Sequence, residues 1–165
     1  MKHRPTTPAV LEVMQTLWAL AHALEARSKW MHRHLGVTGP QRLLIRVIGE
    51  SPGCSPGAAA RRLTLNPGTA SRLATGLEKA GLLRREEDQS DGRRMRLVLT
   101  RRGEAVNSHH QGTVEGAARE ALAAATPSEA RMARKFIRRL TESLTVPEAG
   151  QKRARGRRRS TTPES

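Results

Sequence analysis

Apolar residues in the first part of the chain recur at helical spacing. Val10, Met14, Leu17, Ala21, Leu24, Met31 and Leu35 are separated by three, four or seven positions. That interval keeps one face apolar, so the pattern predicts a long amphipathic helix over 8–35, ended by Gly36. Thr38-Gly39-Pro40 opens a second helix with Leu43, Leu44, Val47 and Ile48 directed inward, closed by "ESPG". Ser55-Pro56 starts a third helix to about Leu63, and Asn66-Pro67 a fourth to Ala80. In both, a capping oxygen precedes a proline whose missing N–H costs nothing at the first helical position. The three residues "TLN" between them, and Gly81 after the second, make the pair a helix-turn-helix.

The period then changes. "LLRR" and "RMRLVL" are strand-like, with Met95, Leu97 and Leu99 on one face and Arg94 and Arg96 on the other. "EEDQSDG" between them is the tip of a hairpin. Helix, helix and hairpin in that order form a winged helix. Thr100 caps a helix expected to run unbroken over 101–123 on a weak, alanine-rich pattern. Thr126-Pro127-Ser128-Glu129 is a capping box with a proline at the first position. It starts a last helix striped with Ala133, Phe136, Ile137, Leu140 and Leu144. Beyond Pro147 no apolar period exists, so a disordered basic tail is expected.

The expected fold class is therefore mainly α with a small β-hairpin wing: a winged helix-turn-helix domain plus long dimerisation helices. Residues 1–36 would form an N-terminal dimerisation helix and 37–103 the DNA-binding region. Residues 104–146 would form C-terminal dimerisation helices, and 147–165 the tail.

Composition narrows the partners. Trp18, Trp30 and Phe136 are the sole aromatic residues among 165, so the core must be aliphatic, and a dimer interface would help to bury it. The net charge of +15 is uneven. Residues 61–102 carry eleven basic against five acidic side chains, and residues 147–165 carry six against two. These blocks face a polyanion, although basic balance alone would equally suit RNA or an anionic membrane surface. One cysteine, Cys54, excludes an intrachain disulfide. "MKHR" before an apolar run superficially resembles a signal peptide, but Glu12 and Gln15 interrupt the run. No apolar run reaches membrane-spanning length, so a soluble cytoplasmic protein without membrane attachment is expected. No glycine-rich phosphate loop, nucleophile elbow or paired carboxylates in an apolar setting occur, so neither catalysis nor a cofactor is expected.

In the fourth helix, Ala70, Leu73, Leu77 and Ala80 form the expected buried stripe. Gly68, Thr69, Ser71, Arg72, Thr75 and Lys79 are left outward. Small and hydroxyl residues at the helix start let the backbone approach a groove. Arg72 can reach base edges, where a bidentate guanine contact gives ~1–3 kcal/mol of discrimination. At the wing, Asp91 can orient Arg93, and an arginine on a hairpin tip suits the narrow minor groove. Arg84, Arg85, Arg94, Arg96, Arg101 and Arg102 are cast as phosphate contacts, supplying affinity and salt dependence but little sequence reading.

The run "LNPGTASRLATGLEKAGLLRREEDQSDGRRMRLVLTRRG" resembles the heart of the MarR family of bacterial transcriptional regulators. The likeness is close over 55–103 and extends to 8–145 by layout. It implies a homodimer on double-stranded DNA, with two winged helices on a pseudo-palindrome whose half-sites lie about one turn, roughly 10 base pairs, apart. Asn66, Pro67, Gly68, Thr69, Ser71 and Arg72 would form the groove-reading start of the recognition helix. Ser90, Asp91, Arg93 and Arg94 would form the wing contact. Thr75-Gly76 stands where members often carry an acidic-basic pair, and a mid-helix glycine costs ~1 kcal/mol relative to alanine.

The resemblance also implies release by a small-molecule effector or another signal. Zinc-sensing relatives bind metal between the first and fifth helices, and His32, His34, His109 and Glu25 are the matching candidates here. His109 and His110 are adjacent, however, and diverge by about 100° on a helix, and no i, i+4 histidine pair exists. Peroxide-sensing relatives use an N-terminal reactive cysteine, whereas Cys54 reads as a passive small hydrophobe. The expected function is a transcriptional regulator acting as a repressor. A nucleoid protein that coats DNA and a metal-responsive regulator are the alternatives.

Overall fold

The computed structural model describes residues 6–88 and 91–144. These form helices α1 (Thr7–Leu35), α2 (Gly39–Glu50), α3 (Pro56–Arg62) and α4 (Pro67–Lys79), then strands β1 (Leu83–Asp88) and β2 (Asp91–Leu99). Helices α5 (Arg101–Ser108), α6 (Val114–Ala124) and α7 (Pro127–Leu144) follow. The chain divides into two compact units near residue 119. The first holds α1 to α5 with the hairpin, and the second holds α7.

Most helix starts follow from local chemistry. Thr38, Ser55, Asn66 and Thr100 each accept a hydrogen bond from the backbone N–H three residues on. Thr126 does the same for Glu129, whose carboxylate in turn accepts from Thr126 N at 2.7 Å. Each such cap is worth about 1 kcal/mol.

Helix α2 is the centre of the first unit, touching α1, α3, α4, α5 and β2. Its inward arc is wider than the sequence pattern implies. Leu44, Val47 and Ile48 are buried as expected, and so are Ile45 and Arg42, whereas Leu43 is half exposed. Around α2 the core gathers Ala59, Ala74, Leu77, Leu82, Leu83, Leu97 and Leu99. Burying each leucine contributes roughly 1.5–3 kcal/mol.

The strands reach further toward the tip than expected. Leu83 pairs with Leu99, Glu86 with Arg96 and Glu87 with Met95, with a bulge between Glu87 and Asp88. Glu86, Glu87 and Asp88 therefore belong to the ladder rather than the turn. On the other edge of β2, Gly53 N donates to Leu97 O and Leu97 N to Cys54 O, both at 3.0 Å. This fastens the α2–α3 loop to the wing.

The helix expected over 101–123 is two helices. His109 turns extended and Gly112 adopts φ +68°. The Trp30 ring occupies the space that a side chain at 112 would need, 2.5 Å from the position of an added Cβ. Thr113 then restarts the helix by accepting from Gly116 N at 3.1 Å. The freed carbonyls at the break find a buried cation. Arg42, only 1% exposed, donates to the carbonyls of Val106, Asn107 and His109 and, at 2.6 Å, from Nε to the Glu115 carboxylate. Arg46 adds a bond to Asn107 Oδ1 at 2.8 Å.

Burial by itself would raise the Glu115 carboxyl pKa. Hydrogen bonds from Arg42, its own backbone and Thr113, together with the Arg42 charge, outweigh burial and hold the group below its ordinary value of 4.5. A depressed folded pKa stabilises fully above the unfolded value, and that stabilisation disappears as pH falls through the folded one. Glu115→Gln is expected to flatten the acid side of a Tm-against-pH curve recorded by circular dichroism; an acid limb as steep as the parent's would remove Glu115 from its cause.

Gly103 is a second fixed point, at the start of α5. A Cβ there would lie 2.0 Å from the Leu82 carbonyl oxygen. Gly103→Ala should cost more than ~3 kcal/mol in urea denaturation, beyond the usual range for a single substitution. A loss under ~1 kcal/mol would show that the approach relaxes freely.

Candidate nucleic-acid interface

The first turn of α4 presents its backbone outward. Asn66 Oδ1 accepts from Thr69 N at 2.8 Å, Pro67 and Gly68 follow it, and all three residues are exposed. An added Cβ at Gly68 would meet nothing closer than Asn66 Oδ1 at 3.5 Å. The core does not demand a glycine there, and its absent side chain leaves the turn open to an approaching backbone. Ser71 and Arg72 are exposed on the next turn, and Arg72 Nη2 donates to Thr69 Oγ1 at 3.2 Å. The guanidinium is thus drawn back over the open turn.

The rear of α4 differs from the sequence expectation in four positions. Ala70, Ala74 and Leu77 are buried, Leu73 is half-buried, and Ala80 is exposed instead of buried. Thr75 faces β1 rather than outward, because its hydroxyl accepts from Arg85 Nη2 at 3.1 Å. Gly76 leaves room for Gln41, whose Nε2 lies 2.8 Å from where a Cβ would stand. Thr75-Gly76 therefore serves the packing of α4 on α2 and β1. Arg85 Nε also lies 3.6 Å from Glu78 Oε2, so one guanidinium clamps strand and helix side by side.

The remaining wing cations are spread rather than gathered. Arg84 is exposed and pairs with Glu86 at 2.5 Å. Arg94 is exposed. Arg96 is half-buried against the α2–α3 loop, its Nε 3.4 Å from Gly53 O. Arg102 turns to the end of α4, with Nη1 3.4 Å from Ala80 O. Ser90 and the side chains of Asp91 and Arg93 lie outside the described residues, as does the tail.

The sensing candidates do not converge. His34 stacks on Trp30 with ring centroids 4.3 Å apart, and its Nδ1 lies 2.9 Å from Trp30 O. Glu25 is ion-paired with Lys29 at 2.7 Å. Among the described residues no three His, Cys, Asp or Glu side chains group where they could hold a metal ion. Cys54 packs half-buried against the core, and burial pushes its thiol pKa up, opposite to what a reactive thiolate requires.

A largely apolar cleft of about 530 Å³ opens between α1, α2, α6 and the α3–α4 turn. Leu24, Leu43, Leu63, Leu65 and Val114 line it, with Arg42, Arg46 and Glu115 as its charged groups. This is where the outward Leu43 points. Sequence reading missed Arg42 and Arg46, and cast Arg85 as a phosphate contact without its clamping role, because their partners lie ten to seventy-three residues away.

Comparison with known proteins places this architecture. The MarR family model matches residues 35–94, which cover α2 to the start of β2. The HTH-type transcriptional repressor Rv2887 of Mycobacterium tuberculosis is 30% identical over 106 residues, covering 64% of this chain and 76% of that protein. The chain belongs to the MarR family. As a family member it is a DNA-binding transcriptional regulator and not an enzyme. In solved structures, Sco3205 of Streptomyces coelicolor, a MarR-family regulator in complex with DNA, superposes with TM-score 0.68 at 24% identity. That match covers 88% of this chain and 96% of Sco3205. PcaV of the same organism, with its natural ligand, gives TM-score 0.60 at 22% identity, covering 88% of this chain and all of PcaV. Both carry the winged-helix fold over to this MarR-family chain. No helix among the described residues is long and apolar enough to cross a membrane.

Asn66→Ala should cost about 1 kcal/mol in urea denaturation by removing the α4 cap, and should weaken duplex binding as the open turn frays. Unchanged stability would mean the cap contributes nothing to holding that turn.

Proposed function

We propose that this MarR-family protein is a homodimeric repressor of a pseudo-palindromic operator, released when a small molecule enters the cleft beside α2. The observation that carries the reading is the start of α4. A capped, side-chain-poor turn stands open with Arg72 held over it, while Arg85 clamps the helix to the wing strand. In this reading Asn66, Pro67, Gly68, Thr69, Ser71 and Arg72 enter the major groove. Ser90, Asp91, Arg93 and Arg94 meet the flanking minor groove, and Arg84, Arg85 and Arg96 add phosphate attraction.

Pairing of two copies is supported by apolar faces that one chain leaves to solvent. On α1, Val10, Leu11, Met14 and Trp18 are 43–68% exposed, and on α7 Met132, Phe136, Ile137 and Leu144 are 51–69% exposed. Monomeric proteins seldom expose apolar stripes of this extent. The Rv2887 relative is named a repressor, and PcaV was solved with a ligand. The cleft is of a size and apolarity suited to a small organic effector. Cytoplasmic placement accords with a DNA partner. With Glu25 held by Lys29 and His34 by Trp30, the metal-sensing reading has no geometric support.

Selection of bound duplexes from a random pool should return a palindromic consensus, and Arg72→Ala should reduce affinity for it by roughly 5- to 150-fold, the equivalent of 1–3 kcal/mol. Binding to unrelated duplexes should change far less. Equal losses on every duplex, with no consensus from the parent, would make the protein a DNA-coating one instead.

A further inference from the structure

Helix α7 carries two unlike faces. At 3.6 residues per turn, Arg131, Arg134, Lys135, Arg138 and Arg139 fall within one arc about 140° wide. Met132, Phe136, Ile137, Leu140 and Leu144 fall on the opposite arc. The cationic side chains frame a shallow groove of about 580 Å³, with Glu142 at its end. Among the described residues, no acidic side chain forms an ion pair with any of the five. Glu129, the other acid of α7, is turned back onto Thr126 as the helix cap.

Such an array works against its own helix. Arg131 with Lys135, Arg134 with Arg138, and Lys135 with Arg139 are like charges at i, i+4 spacing, which destabilises a helix. Glu142, at i+4 from Arg138 and i+3 from Arg139, offsets only the C-terminal end of this repulsion, leaving a net positive face that a bound polyanion would neutralise. Five charges over eight helical rises, about 12 Å, place one cation about every 3 Å. Duplex DNA presents one negative charge per about 1.7 Å of axis, a comparable linear density. Four of the five cations are arginines, whose planar forks bind phosphate oxygens in pairs. A lipid surface would have to take the apolar arc as well, and that arc is the one assigned above to a second copy of the chain. That assignment rests on the proposed function; the cationic arc does not.

We propose that the basic face of α7 is a second, sequence-independent site for the phosphate backbone of duplex DNA, distinct from the contacts of α4 and the wing. The dimer would then hold one duplex by reading it and another, or a distant part of the same one, by charge.

The test uses the full chain saturated with the best duplex recovered by selection, then titrated at low salt with a labelled unrelated duplex followed by fluorescence anisotropy. The parent is expected to bind the labelled duplex. In the triple variant Arg134→Gln, Arg138→Gln, Arg139→Gln, the log–log salt slope of this second event should fall by roughly 2 to 3, as three phosphate contacts are lost. Affinity for the selected duplex should stay within about twofold of the parent's. The charge-preserving variant Arg134→Lys, Arg138→Lys, Arg139→Lys should retain the second event, which separates charge loss from misfolding. Arg72→Ala should retain it too, whatever it does to sequence preference, so the two readings fail separately. If selection recovers no preferred duplex, total duplex bound per dimer at saturation still compares parent with variant. The proposal is overturned if the glutamine variant binds the labelled duplex as the parent does. It is equally overturned if the loss follows Arg157→Gln, Arg158→Gln, Arg159→Gln instead. Uptake by phosphatidylserine vesicles through the same three arginines, without binding of the labelled duplex, would assign the face to lipid.

Discussion

One buried guanidinium sets the geometry of the first unit. Taking an arginine out of water costs several kcal/mol, and the cost is offset only when its donors are satisfied. Arg42 meets that condition by gathering three carbonyls from the end of α5 and the carboxylate of Glu115 at the start of α6. The break between α5 and α6 is what frees those carbonyls, so the cation and the break require one another. Helix α2, which bears Arg42 and supports the helix-turn-helix, is thereby locked to the segment leading out of the winged helix. Replacing Arg42 alone would strand three carbonyls and a carboxylate together.

The recognition helix is aimed by smaller devices acting in the same way. Ala70, Ala74 and Leu77 seat its rear in the core, and Arg85 reaches from β1 to Thr75 and Glu78. Gln41 fills the space left by Gly76. The glycine that would weaken an isolated helix therefore allows a closer approach of α4 to α2. Its propensity cost of ~1 kcal/mol is set against packing that a larger residue would forbid. The outer turn, by contrast, is held by little more than Asn66 and the Thr69–Arg72 contact. A rigid back and an open front are the arrangement that surface reading by a helix requires.

What the sequence revealed was local. Caps at Thr38, Ser55, Asn66, Thr100 and Thr126 depend on residues three apart, and each is found where the pattern puts it. The alternation of Met95, Leu97 and Leu99 likewise reports the face of a strand. The long-range terms were hidden. No periodicity says that Arg42 is buried or that Leu43 lines a cleft, since both depend on which helices surround α2. The α5–α6 break was obscured because the apolar pattern is weak on both sides of it, with only Ala105 and Val106 before and an alanine-rich run after, although Gly112-Thr113 offers a stop followed by a cap. The acidic residues taken for the hairpin tip lie in the ladder because cross-strand pairing with Arg96 and Met95 outweighs their turn preference. For the interface, Asn66 and Arg72 were readable from capping and spacing, whereas the clamp formed by Arg85 needed coordinates.

The indole of Trp30, seated where Gly112 lacks a side chain, joins two distant positions into a single packed unit. Any lineage that gained bulk at 112 would first have to shrink residue 30, and would lose the stacking that steadies His34. Because Gly112 also sits at φ +68°, where a side chain is strained whatever the space, position 112 is held to glycine twice over, and the indole fills a gap that the backbone alone would keep open.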